Sequence, residues 1–244
     1  MSVFSQIRSD YRRYRASDDT LFATLLSQGL WTTVIYRTFR VVQERVHIPV
    51  VRKILLLTGN LIGKLNELPT GIFIPLSCKI GDGLYIGHFG NIFFPSHGSL
   101  GKNCNVSQGV TMGVAGTGDE RGAPTVGDRV YIGPNAIVVG KITVGDDAVI
   151  CAGAVVTKSV PPRAVVLGNP ARVVSYNGSF DYIAYDGMEN DPERIRSMQL
   201  SEQTGWGTKT AGPKAAGAID AIQPAAPATK ATYASTGSTN NGDS

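Results

Sequence analysis

The sequence predicts a mainly β protein, a left-handed parallel β-helix with an N-terminal α-helical region. Three observations predict it. Aliphatic residues recur at every sixth position through the middle of the chain, without a break at Val126, Ile132, Val138, Val144, Ile150 and Val156. Small residues hold fixed places around them: Gly81, Gly87, Gly127, Gly133 and Gly145 one position later, and Ala136, Ala148 and Ala154 four positions later. The first seventy or so residues lack this period and carry apolar residues at near-helical spacing instead.

Residues 1–69 form the helical region. Between Thr20 and Val46 the apolar residues Leu21, Leu25, Leu26, Leu30, Trp31, Val34, Ile35, Phe39 and Val42 recur at near-helical spacing. Ser17 with Asp18 and Asp19 supplies a start signal. Pro49 ends this helix, and a second runs from Val50 to Leu68 before Pro69, with Gly59 and Gly63 weakening it.

Residues 70–175 form the β-helix. Ile74, Ile80 and Ile86 start the period and Ile92 continues it; after a two-residue slip, Phe94, Leu100, Val106 and Met112 resume it. Each unit is a short strand and a turn. Three units close one triangular coil with the aliphatic side chain inward, and Gly or Asn takes corners that need positive φ. The unit count implies four to five coils. The segment GVAGTGDERGAP, residues 113–124, interrupts the period. A solenoid accepts such an insertion only at a corner, so it loops out, and its glycines and charged tip suit a mobile loop closing on a substrate.

Residues 176–204 read as an irregular segment. Residues 205–244 are rich in Ala, Pro, Gly, Ser and Thr with almost no bulky apolar side chain, and read as a disordered tail.

Composition narrows the function. The chain has 244 residues, and its three cysteines rule out a disulfide framework. The basic start has no apolar run behind it, so it is not a secretory signal, and a reducing cytoplasm is the expected location. No run is long enough to span a membrane. The net charge of +4 is concentrated in residues 1–70, with ten Lys/Arg against five acids. That front matches no nucleic-acid motif; its contact with an anionic membrane would be at most peripheral.

The repeat, with the stretches CKIGDGLYIGHFGNI, GKNCNVSQGVTMG and VVLGNPARVV, resembles the hexapeptide-repeat acyltransferases. Within them it is most similar to serine O-acetyltransferase, over about 150 residues that include the helical segment GLWTTVIYRTFR. The resemblance implies transfer of an acetyl group from acetyl-CoA to a small hydroxyl acceptor, with L-serine first and a sugar or polysaccharide precursor as the alternative. A non-catalytic scaffold is the third possibility. The resemblance also implies a homotrimer, or a dimer of trimers, with the site between subunits.

His88 is the candidate catalytic residue. Acyl transfer from a thioester needs a base for the acceptor hydroxyl and an acid for the departing thiolate, and an imidazole does both. The resemblance puts the family's catalytic histidine at this place. His97 is expected on the same lateral face one coil on, lining the acceptor pocket, and Arg121 in the loop is a candidate for an acceptor carboxylate. His47 lies in the helical region, so a three-histidine zinc site of the kind this fold also carries is not expected. Cys78, Cys104 and Cys151 read as packing residues, and the hydroxyl attacks the thioester directly.

Three positions depart from the serine enzymes. Gly87 stands where an Asp commonly precedes the histidine, Ala123 where a second His follows Arg in the loop, and Phe73 where an Asp orients the base. Asp82, Asp18 and Asp19 are candidate substitutes for that carboxylate. For the donor, small residues one coil apart, Gly133 and Ala136 with Ala152, Gly153 and Ala154, suit a pantetheine arm, while Lys158, Arg163 and Arg172 are expected at its phosphates. The family's serine enzymes often bind their downstream synthase through a tail ending in Ile; this chain ends Asn-Gly-Asp-Ser, and no such complex is expected.

Overall fold

The computed structural model describes residues 2–16 and 20–203. The expected start signal at residues 17–19 and the tail from 204 onward lie outside them.

Four helices open the chain: α1 (Val3–Ala16), α2 (Leu21–Leu26), α3 (Gln28–Arg45) and α4 (Pro49–Thr70). The single helix expected from Thr20 to Val46 is therefore broken, and the cause is Ser27. Its extended backbone ends α2, and its hydroxyl accepts the Leu30 amide to start α3. Thr20 caps α2 in the same way through the Ala23 amide. α4 runs past Pro69, because a proline in the last turn forfeits only one helical bond; Gly71, at φ 64°, closes it with a bond to Glu67. α3 and α4 pack closely. The Asn66 amide donates to Thr32 Oγ1 at 2.7 Å, and a Cβ at Gly59 would stand 2.5 Å from the Phe39 ring. Gly59 thus sets the approach of the two helices at its own cost in helix propensity.

The β-helix has three parallel faces. Face A stacks β1 (Ile72–Phe73), β4 (Ile92–Phe93), β7 (Thr111–Gly113), β10 (Ile137–Val139) and β13 (Val155–Val156). Face B stacks β2 (Lys79–Ile80), β5 (Ser99–Leu100), β8 (Thr125–Val126) and β11 (Thr143–Val144). Face C stacks β3 (Tyr85–Ile86), β6 (Asn105–Val106), β9 (Tyr131–Ile132), β12 (Val149–Ile150) and β14 (Val165–Leu167), with β15 (Arg172–Ser175) turned back antiparallel on β14. The sixth-position residues fill the interior: Ile80, Ile86, Phe94, Leu100, Val106, Met112, Val126 and Ile132 are all buried. Ile74, at the open first coil, is only partly buried. Where faces B and C meet, Gly83, Asn103, Arg129, Asp147 and Arg163 stack one per coil with φ between 54° and 75°.

Polar groups fasten the helices to the first coil. Asp10 is fully buried; its carboxylate accepts the Gly83 and Leu84 amides and the Arg37 guanidinium, and Arg37 also donates to the Ile80 and Gly81 carbonyls. Burial pushes the Asp10 carboxyl above its usual value against the pull of Arg37. At the other end the segment 176–204 is not irregular throughout: it contains α5 (Pro192–Gln203). Asp191 starts that helix by accepting the Glu193 and Arg194 amides, a cap the composition alone did not single out. A buried Arg129–Asp147 pair at 2.7 Å, with Ser179 bonded to the Arg129 carbonyl, ties this segment to the coils.

Candidate functional site

The corner between faces C and A carries the candidate base. In the later coils five residues separate successive inward positions, as between Val106 and Met112; between Ile86 and Phe94 there are seven. The extra pair sits here: His88-Phe89-Gly90-Asn91 stands over Gln108-Gly109, with the Gly109 amide donating to the Gly90 carbonyl at 2.9 Å. The two-residue slip of the sequence is thus a widened corner, and it turns His88 and Phe89 outward, both exposed.

Below His88 the same corner continues as a column. The Asn135 amide donates to the Gln108 carbonyl, and the Gly153 amide to the Pro134 carbonyl. Gly87, His88, Gly133, Ala152 and Gly153 therefore share one edge of the solenoid. Ala136 and Ala154 do not present themselves there: both are fully buried in the interior, so their small side chains fit the coil and touch no donor. Three coil steps at strand spacing make the column about 14 Å long.

The cations separate. Lys158 and Arg172 line one cavity of about 220 Å³ with Val156, Pro170 and Ala171 at the last coil. Arg163 stands on another corner, stacked over Asp147. Arg163 therefore does not join Lys158 and Arg172 as expected, because the residue after Pro162 falls where faces B and C meet.

His97 is also corrected. It follows β4 and so occupies the corner between faces A and B, at the other end of the strand from His88, with φ 63°. The loop of residues 113–124 leaves the same corner one coil on. It is a short hairpin closed by the Ala115–Gly122 bridge, and Lys141 Nζ holds the Asp119 carbonyl at 2.8 Å. Arg121 is exposed on it, just after a 3-10 turn at Gly118–Glu120.

Among the described residues His88 makes no hydrogen bond or ion pair and no carboxylate orients it; the candidates Asp18 and Asp19 lie outside them. Asp82 accepts from Gln6 at 2.9 Å on the corner where faces B and C meet, and is not a substitute. Phe73 stacks on Phe93, ring centres 5.0 Å apart, with Lys64 Nζ 5.0 Å from the Phe73 ring. An aromatic platform therefore occupies face A beside the candidate base. In the sequence Phe93 is marked only by its place as the outward residue between inward Ile92 and Phe94. Cys78 and Cys104 are fully buried, and burial pushes both thiols up to about 12.

A triangular parallel solenoid with an exposed histidine on a widened corner, over a column of small residues, defines an acyltransferase of the hexapeptide-repeat class. Residues 123–158 match the family model for bacterial transferase hexapeptide repeats. Serine acetyltransferase of Mycobacterium tuberculosis is 37% identical over 161 residues, 63% of this chain and 68% of that one. Soybean serine acetyltransferase as apoenzyme superposes with a TM-score of 0.59 at 28% identity, over 71% of this chain and 69% of that one. The Neisseria gonorrhoeae serine acetyltransferase solved in complex with serine gives 0.57 at 26%, with 71% and 69% covered. The chain belongs to the serine acetyltransferase family.

Proposed function

We propose that the protein moves the acetyl group of acetyl-CoA to the hydroxyl of L-serine, with His88 as the base. The observation that carries this is the corner itself. Its titratable side chains are His88 and Cys151, and burial pushes the Cys151 thiol up, away from use as a nucleophile. The seryl hydroxyl gives its proton to the imidazole as its oxygen attacks the thioester carbonyl. The tetrahedral oxyanion is held by a backbone amide of the corner. Collapse breaks the C–S bond, and the imidazolium returns its proton to the departing thiolate, giving O-acetylserine and CoA. In this reading Gly133, Ala152 and Gly153 flank the pantetheine, and Lys158 and Arg172 meet the phosphates.

His88 and the loop with Arg121 lie at opposite edges of face A. A closed threefold assembly would set the loop and His97 of one copy against the His88 edge of the next. This supports a trimer with acceptor contacts shared between copies, in which Arg121 binds the serine carboxylate.

A second reading, transfer to a sugar hydroxyl, is favoured by the Phe73–Phe93 stack, an aromatic platform of the kind that meets the C–H face of a pyranose. Both readings share donor and base. The test is thiol release from acetyl-CoA, with L-serine and with a panel of sugars and nucleotide sugars. Release with serine that falls about 10²–10⁴-fold in His88→Ala supports the first reading. Release with sugars alone selects the second, and release unchanged in His88→Ala removes the base from both.

A further inference from the structure

The last N-terminal helix turns an aliphatic side to solvent. Val50, Ile54, Leu57, Leu61, Leu65 and Leu68 follow one another at steps of three and four along α4 and are 58–83% exposed. The opposite side meets the rest of the protein through Gly59 against Phe39 and Asn66 on Thr32. An ordinary surface helix buries its apolar stripe; this one displays it. Leu21, Phe22, Leu25 and Leu26 of α2 are also more than half exposed.

The charge on α4 selects an occupant. The helix carries Arg52, Lys53 and Lys64 against the single acid Glu67, and Lys64 already holds Glu67 at 2.7 Å. Among the described residues, Arg52 and Lys53 have no acidic partner. Packed ridge to ridge, a second copy would offer Arg52 and Lys53 no spare acid from its own α4, since its Glu67 is already held by Lys64. A surface of lipid phosphates supplies the missing counter-charge while its acyl chains accept the ridge. At 22 residues α4 is about 33 Å long. Among the described residues no helix is long and apolar enough to cross a membrane, so the helix would lie in the plane of the interface.

We propose that α4 docks the enzyme on an anionic lipid surface, its leucine ridge among the acyl chains and Arg52 and Lys53 at the headgroup phosphates. The inference is independent of the acceptor. The test is co-sedimentation of the full chain with vesicles of phosphatidylcholine alone and of phosphatidylcholine mixed with phosphatidylglycerol. The expected result is pelleting with the anionic vesicles at low salt. It falls about tenfold or more in Leu57→Glu/Leu61→Glu and in Arg52→Glu/Lys53→Glu. The circular dichroism and thiol release of these variants stay at wild-type level. Failure of the wild type to pellet with anionic vesicles overturns the proposal, as does pelleting that Leu57→Glu/Leu61→Glu leaves unchanged. So does a lipid-free assembly in the ultracentrifuge that Leu57→Glu/Leu61→Glu halves in mass, which would assign the ridge to a second copy.

Discussion

The Tyr14 hydroxyl accepts the Ile86 amide at 3.1 Å and donates to the Ile86 carbonyl at 3.3 Å. β3 is the edge strand of face C, so this one hydroxyl does for Ile86 what a preceding coil would do. A Cβ on Gly29 would stand 2.5 Å from the same carbonyl. Two residues on lies His88. The helical region thus grips the backbone from which the candidate base projects.

Tyr14→Phe removes both bonds and leaves the amide unpaired in a buried place. The expected cost is about 1–3 kcal/mol, seen as a fall of several degrees in melting temperature. Because the strand before His88 loosens, kcat falls while KM for acetyl-CoA holds. A purely structural role for Tyr14 would lower the melting temperature and leave kcat per folded molecule unchanged.

Lys158→Ala and Arg172→Ala are each expected to raise KM for acetyl-CoA severalfold with little change in kcat, since both line the terminal cavity. Arg163→Ala, on another corner, leaves that KM alone. Saturation curves for the three variants separate the two groups.

Asp147→Asn strips the Arg129 guanidinium of its buried counter-charge and leaves it only Glu193 at 3.3 Å and Asp191 at 4.0 Å, both nearer solvent. Burial works against the charge on Arg129, but the Asp147 bonds outweigh it and hold its pKa above the ordinary value. Breaking such a pair costs about 3–5 kcal/mol, so calorimetry should show a drop of roughly ten degrees.

The C-terminal segment should loosen in acid. Burial alone would raise the Asp191 carboxyl, but the Tyr185 hydroxyl and the Arg194 and Glu193 amides outweigh it and hold it below its ordinary 3.8. The stability this contributes is present above that value and is lost as pH falls through the lower, folded one. Asp191→Asn should unfold with a weaker dependence on pH across that range, followed by tyrosine fluorescence.

The native protein should leave Cys78 and Cys104 unmodified by iodoacetamide at mildly alkaline pH, because burial keeps both thiols protonated and closed off. Mass spectrometry with and without denaturant reads this directly.

The solenoid was legible because its period is local: each inward residue declares itself by its distance from the next. The slip between Ile92 and Phe94 was visible too, but a linear pattern does not say which corner absorbs the surplus, and that corner is where His88 stands. Offsets also misled. Ala136 and Ala154 are small because they point inward, and a small residue in sequence looks the same whether it faces a ligand or the core. His97 and Arg163 were assigned by proximity along the chain, whereas a triangular coil sends residues a few positions apart to different edges. Tyr14 and Ile86 were out of reach, because their partnership spans 72 residues and depends on how α1 meets the first coil.

A stack of parallel strands has two open ends, each a row of amides and carbonyls ready to template more of the same. Here neither is left bare. Tyr14, Asp10 and Arg37 occupy backbone groups of the first coil, and β15 lies antiparallel across the last strand of face C. The reversal matters: another parallel coil cannot add in register on a strand that runs the other way. The protein is thereby kept a particle of fixed length and guarded against growing end to end into a fibre, and stripping either cap, by deleting α1 or the segment after Leu167, would expose that hazard.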